Sequence, residues 1–231
     1  MVHNGMASSG KPYVSVVIPT LNERDNIRKA ISGIAAILRG YNYEILVVDG
    51  MSTDGTAEIA RGLGAKVAYD SHGKGSALIK GFSKAKGKII ISMDADLSHR
   101  PSELRLLIAG IETGYDVCMG SRFLTGGGTE DMPLVRKLGN KFFLMLVNVL
   151  FGSTYSDLCY GYRAFSRAAM RKMVLSEKGF GIETEISIKA RKANLRILEV
   201  PSYEKKREDG EAKLQTFKDG YAILKTILNN V

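Results

Sequence analysis

Asp94 and Asp96 stand at i and i+2, directly after the apolar run Ile89-Ile90-Ile91. Two carboxylates this close at the end of a strand repel unless a positive charge lies between them. A divalent cation, which takes oxygen ligands, is the usual partner. At the carboxyl edge of a sheet that cation would neutralise a phosphate-bearing substrate. A solvated acidic turn reads the same way, so the surrounding elements must decide. Asp157 fits a general base for a hydroxyl acceptor or, equally, a helix or turn cap. Arg163, Lys205, Lys206, Arg207 and Lys213 supply positive charge that could hold an anionic acceptor. A phosphate monoester acceptor is already largely ionised near neutral pH and needs positioning rather than a base. Lys74 in HGKGSAL precedes a helix, where a phosphate can sit.

The elements that must position these groups alternate from the start. Strands are predicted over residues 13–18, 43–48, 66–69, 88–93 and 117–120, the first ended by Pro19 and the second by Asp49. Helices are predicted over 23–38, from the 52–55 cap to about 63, over 74–85, and over 101–113 with Pro101 in its first turn. Strands with helical crossovers imply a mostly parallel sheet covered on both faces. Right-handed connections then gather residues 19–23, Asp49 and 94–98 at one edge, where open α/β sheets bind ligands. Beyond that, 122–133 is a glycine-rich loop and a candidate lid. Helices are predicted over 135–151, 182–193 and 217–228, strands over 162–165 and 196–203, and a charged loop over 205–213.

The chain has 231 residues and a net charge of +9, which calls for an anionic partner. It has no Trp and no evident base-stacking surface, and acidic residues lie at the predicted ligand edge. Both features argue against nucleic acid. Cys118 and Cys159 sit in apolar contexts without CxxC spacing and read as reduced core residues of a cytosolic protein. Residues 1–11 lack an apolar stretch and read as a flexible leader, leaving 12–231 as one domain. The apolar run 142–151 is shorter than the roughly 20 residues a bilayer span needs. It is either a buried core helix or a helix lying at a membrane surface, where Lys137, Lys141, Lys189, Arg191 and Lys192 could meet anionic headgroups.

VVIPTLNERDNI, EILVVDGMSTDGT, HGKGSAL and MDADLSH occur in order at the ends of successive βα units. This arrangement resembles the family 2 glycosyltransferases of GT-A fold, over roughly residues 13–213. Gly120-Ser121-Arg122, DLCYGYR (157–163) and REDGEAKL (207–214) resemble the polyprenyl-phosphate branch typified by dolichyl-phosphate mannose synthase. The resemblance implies a GT-A (Rossmann-like) sheet with a C-terminal helical and strand elaboration, a nucleotide-binding half over 12–121 and an acceptor half over 122–231. It places Pro19, Leu21, Glu23, Val48 and Asp49 around the nucleotide base and ribose. Lys74, Asp94, Ala95, Arg122 and Lys213 join them around the nucleotide sugar. Asp94 and Asp96, with Ser98 near, would hold Mg²⁺ or Mn²⁺. Asp96, Asp157, Arg163 and Arg207 would serve the transfer itself. Asp49-Gly50 replaces the family's paired aspartates, Leu138-Gly139 follows Arg136-Lys137, and YGYR replaces SGFR. These departures leave the base and sugar open.

The expected activity is metal-dependent, inverting transfer of a sugar, with mannose from GDP-mannose favoured, to a polyprenyl or dolichyl phosphate. The expected place is the cytoplasmic face of a membrane, as a peripheral protein with or without a membrane-anchoring partner. Two alternatives are the same fold using another donor such as UDP-glucose or a saccharide hydroxyl acceptor, and a non-catalytic nucleotide-sugar-binding, membrane-docking module.

Overall fold

The computed structural model describes residues 10–130, 132–206 and 216–231. Most of the expected leader (1–9), Asp131 and most of the charged loop (207–215), with Arg207 and Lys213, lie outside the described residues. Gly10 and Lys11 are tied down through their carbonyls, which accept from Asn42 Nδ2.

The first half runs β1 (Val14–Thr20), α1 (Arg24–Ile37), β2 (Tyr43–Asp49), α2 (Thr56–Gly62), β3 (Lys66–Tyr69), α3 (Lys74–Lys84), β4 (Ile89–Ser92), a 3₁₀ turn (Pro101–Glu103), α4 (Leu104–Glu112) and β5 (Val117–Ser121). The second half adds β6 (Gly128–Thr129), α5 (Leu134–Phe151), β7 (Arg163–Ser166), α6 (Arg167–Lys172), α7 (Ile182–Lys192), β8 (Ile197–Pro201), β9 (Tyr203–Glu204) and α8 (Thr216–Leu228). Seven strands form one sheet in the order β3-β2-β1-β4-β7-β5-β8, and only β7 runs antiparallel to its neighbours. Strands from both halves of the chain therefore interleave in a single sheet.

Side chains alternate across that sheet with the period of two expected of pleated strands. Val17, Leu46, Val48, Ile90, Val117, Met119 and Phe165 face a core closed by α3, α5, α7 and α8. Val14, Val16, Ile18, Ile45, Val47, Ile89, Ile91, Cys118 and Ala164 face the opposite core, closed by α1, α2 and α4. Helices on both faces leave the carboxyl ends of β1, β2 and β4 as the open edge.

Pro19 does not end β1; the strand continues to Thr20, with Pro19 opposite Val48 of β2. The Val17 carbonyl accepts from Met93 on the β4 side, so the Pro19 nitrogen points the same way. The last β4 residue paired with β1 is Ser92, so the missing N–H forgoes no ladder bond. The glycine-rich segment expected as a lid is fastened instead. Its β6 pairs with β9, and Thr129 donates to Glu204. β6 and α6 have no counterpart in the sequence expectation, because elements this short carry too few residues to show a period.

Candidate functional site

The loops after β1 and β2 lock together. Asp49 accepts from Thr20 Oγ1 at 3.0 Å, Ser52 N at 2.8 Å and Ser52 Oγ at 2.7 Å. Ser52 Oγ accepts from Asn22 N, and Asn22 Oδ1 accepts from Thr53 N. Asp54 accepts from Arg24 N, so the second loop caps the start of α1. Asn22, Met51 and Leu97 have positive φ (50°, 68° and 62°) in the loops after β1, β2 and β4. Non-glycine residues reach that region at a cost, and such strain gathers at functional loops.

The acidic loop is equally braced. Asp96 Oδ1 accepts from Ser98 N at 3.1 Å and from Ser98 Oγ at 2.7 Å. His99 is 2 % exposed, stacks on Tyr162 and meets Tyr160 edge-on. Its Nδ1 accepts from the Asp94 backbone N–H at 3.2 Å. Burial pushes its pKa down against the pull of Asp94 and Asp96, which suits a neutral ring that fixes the loop.

A cleft of about 720 Å³ opens over this edge. It gathers Pro19, Leu21, Glu23, Lys74, Asp94, Ala95, Asp96, Ser98 and Arg122 from the residues the sequence singled out. Lys74 Nζ lies 2.9 Å from Asp94 Oδ1 and 3.0 Å from Glu183 Oε1. Burial works against the ammonium charge, but the two carboxylates outweigh it and raise the pKa above the usual lysine range. The start of α3 is not open to a phosphate in the way its sequence suggests. The Lys178 carbonyl accepts from Ser76 N, and a Cβ on Gly75 would lie 2.2 Å from the Glu177 carbonyl oxygen.

Four expected site residues do not line the cleft. Val48 is 1 % exposed in the core, and Asp49 is consumed by its own loop. Asp157, 1 % exposed, accepts from Arg122 Nε at 2.7 Å and Nη2 at 2.9 Å, so its carboxylate is held as an ion-pair partner rather than offered as a base. Arg122 also donates from Nη1 to both Glu204 oxygens at 3.1 Å, which spends its charge on protein carboxylates. Arg163 is 1 % exposed and donates to the carbonyls of Tyr160, Glu183 and Leu158 and to Ser187 Oγ. It staples the 158–160 loop to α7 instead of reaching a phosphate.

The sequence reading missed Glu183, Glu204, Asp70 and Arg136, all of which line the cleft. Glu183 had a signal. Glu183 and Glu185 lie two apart in the first turn of α7, so they face opposite sides of the helix. Glu185 turns back to accept from Ser176 and Glu177 N–H groups, and Glu183 faces the cleft. Cys159 also lines the wall, where burial pushes its thiol up to about 12, leaving it protonated and inert at neutral pH.

Met132 just before α5, Val135 and Phe143 of α5, and Ile223 of α8 add apolar surface to the lining, alongside Arg136 and Asn140 of α5. The 142–151 run is divided between two faces of α5. Phe143, Leu144, Leu146, Val147 and Phe151 pack into the core. Leu134, Leu138, Phe142, Met145 and Val149 face outward, with Val149 75 % exposed. Phe217 and Tyr221 of α8 are exposed as well. Among the described residues no helix is long and apolar enough to cross a membrane.

Comparison with known proteins places this arrangement. The chain is 38% identical over 210 residues to a dolichol-phosphate mannosyltransferase of Pyrococcus furiosus, covering 87% of this chain and 59% of that protein. It is 36% identical to the low-salt glycan biosynthesis hexosyltransferase Agl6 of Haloferax volcanii, covering 95% and 54%. The chain thus spans little more than half the length of these relatives. Among solved structures, glucosyl-3-phosphoglycerate synthase from Mycobacterium tuberculosis, in complex with Mn²⁺, UDP and glucosyl-3-phosphoglycerate, superposes with a TM-score of 0.76 at 22% identity, covering 95% and 80%. That likeness shows a shared GT-A fold. The sequence profile described as "Glycosyl transferase family 2" matches residues 15–174, and the chain belongs to that family.

Proposed function

We propose that the chain transfers a hexose from a nucleotide sugar to a polyprenyl or dolichyl phosphate, with inversion, using Mg²⁺ or Mn²⁺. Mannose from GDP-mannose is the favoured donor, in keeping with the name of the Pyrococcus relative. The observation that carries the reading is the mixed lining of the cleft. Its carboxylates suit a cation and a diphosphate, and its apolar residues include Val135 of α5, itself 58 % exposed. A lipid phosphate has the matching polarity.

The residues fit a divalent cation. Six carboxylates but only three lysine or arginine side chains are among the described lining residues, and Arg122 is committed to one of those carboxylates, Glu204, and to the buried Asp157. A diphosphate entering without a counter-ion would be repelled. No group of three or more His, Cys, Asp or Glu among the described residues could form a closed metal cage. Asp94 and Asp96 instead suit an ion held by two carboxylates and completed by substrate phosphates. When bound, the cation would stabilise charge on the leaving diphosphate. Ser98 fixes the Asp96 carboxylate and His99 fixes the Asp94 backbone, so the pair is preorganised. An ionised phosphate acceptor needs no base, consistent with an Asp157 already paired. Arg207 and Lys213 are proposed to position phosphates, with Arg136 beside the cleft.

The outward α5 stripe, with exposed Lys137 and Lys141, and the α8 residues Phe217 and Lys218 are proposed to rest on an anionic membrane surface. Transfer assays pairing GDP-mannose and UDP-glucose with dolichyl phosphate, undecaprenyl phosphate and a free saccharide test the function. A chelator-sensitive lipid-linked sugar is expected. Transfer only to the saccharide would replace the lipid acceptor with a hydroxyl one.

A further inference from the structure

The Lys74 ammonium contacts both oxygens of Asp94, at 2.9 and 3.0 Å, and lies 3.0 Å from Glu183 Oε1. The three groups converge at Gly161. A Cβ there would lie 3.2 Å from Glu183 Oε1, 3.4 Å from Lys74 Nζ and 3.5 Å from Asp94 Oδ2, so the absent side chain leaves them room to meet. Glu183 is fixed from behind, since Arg163 Nη1 donates to its backbone carbonyl at 2.8 Å and to Ser187 Oγ at 3.0 Å. Its Oε1 is buried, and among the described residues its compensation is the Lys74 ammonium.

An ammonium on both oxygens of Asp94 stands where a divalent cation would have to bind. Two like charges a few ångströms apart in a part-buried site repel strongly, so both cannot share the carboxylate. Resting on the reading that Asp94 and Asp96 hold the metal, we propose that Lys74 is the resident counter-ion of that site, displaced when a divalent cation binds, and that Glu183 is the positioning residue that retains the displaced ammonium in the cleft. The arrangement keeps the acidic cleft neutralised before the metal arrives. It also makes metal affinity depend on how readily Lys74 leaves Asp94. Glu183 acts on Lys74 rather than on the metal, in keeping with the lack of a three-ligand group among the described residues.

Mn²⁺ titration of the nucleotide-free protein, read by the paramagnetic resonance of free Mn²⁺ with thermal unfolding in parallel, tests this. Lys74→Met removes the competitor and is expected to tighten Mn²⁺ binding about tenfold or more, as removal of an occupied competing state does. It is also expected to lower the melting temperature in chelator and to regain stability in Mn²⁺. Glu183→Gln, with Lys74 present, is expected to weaken Mn²⁺ binding, and this effect is expected to vanish in the Lys74→Met background. Equal weakening in both backgrounds makes Glu183 a direct ligand and overturns its positioning role. Unchanged Mn²⁺ affinity in Lys74→Met, while Asp94→Asn abolishes binding, overturns the counter-ion proposal and leaves the metal reading standing. Wild-type Mn²⁺ affinity in Asp94→Asn overturns the metal reading itself. If Lys74→Met does not fold, unchanged affinity in Glu183→Gln alone overturns the proposal.

Discussion

Asp94 and Asp157 are both carboxylates singled out by spacing and motif, yet the structure gives them opposite circumstances. Asp94 lines the cleft in contact with the Lys74 ammonium. Asp157 is sealed against Arg122, with side-chain exposures of 0% and 5%. Asp94→Asn is therefore expected to reduce metal-dependent transfer by about a hundredfold or more, through lost electrostatic stabilisation, while the melting temperature holds. Asp157→Asn leaves the buried Arg122 charge undercompensated and is expected to cost about 3 kcal/mol of stability, visible as a lower urea midpoint. A folded, stable Asp157→Asn protein that has lost transfer would restore Asp157 as a catalytic base. The place of Asp94 and Asp96 at the cleft was legible because they follow an apolar strand whose carboxyl end lies at the open edge of the sheet. The fates of Asp157, Arg163 and Asp49 were not. Whether a charged side chain faces a cleft or a buried partner is decided by distant residues: Arg122 for Asp157, and α7 for Arg163.

At the scale of elements, α5 carries a buried and an exposed apolar face. Its length and apolar run were readable from sequence, but the division between core and outer faces was not, because both are apolar and give weak periodicity. Phe143 and Val147 bury one face, and Leu138, Phe142, Met145 and Val149 expose the other. If the outer face meets lipid, replacing Leu138, Phe142 and Met145 with serine is expected to lower co-flotation with anionic vesicles. Binding of soluble nucleotide sugar is expected to be unchanged. Equal flotation of variant and wild type would remove α5 from any membrane contact. The β1 end teaches the converse lesson. Pro19 reads as a strand terminator in isolation, but a neighbouring strand that turns away removes the penalty, and the strand runs on to Thr20.

Across the whole molecule, the alternation of strands and helices gave the sheet and its two helical layers correctly, because βα crossovers leave little topological freedom. The antiparallel insertion of β7 between β4 and β5 was not legible, since a four-residue strand does not declare its direction. That insertion carries the 157–163 loop to the acidic edge, with Gly161 beside Asp94 and Glu183. The fold gathers carboxylates at the open edge of the sheet, and under the proposed function a cation is required to admit the nucleotide diphosphate. Calorimetric titration of the chain with GDP-mannose and UDP-glucose, in Mn²⁺ and in chelator, tests it most directly. Binding of at least one donor in Mn²⁺, and none measurable in chelator or in Asp94→Asn, is the expected result. Donor binding of equal strength with and without the cation would contradict it.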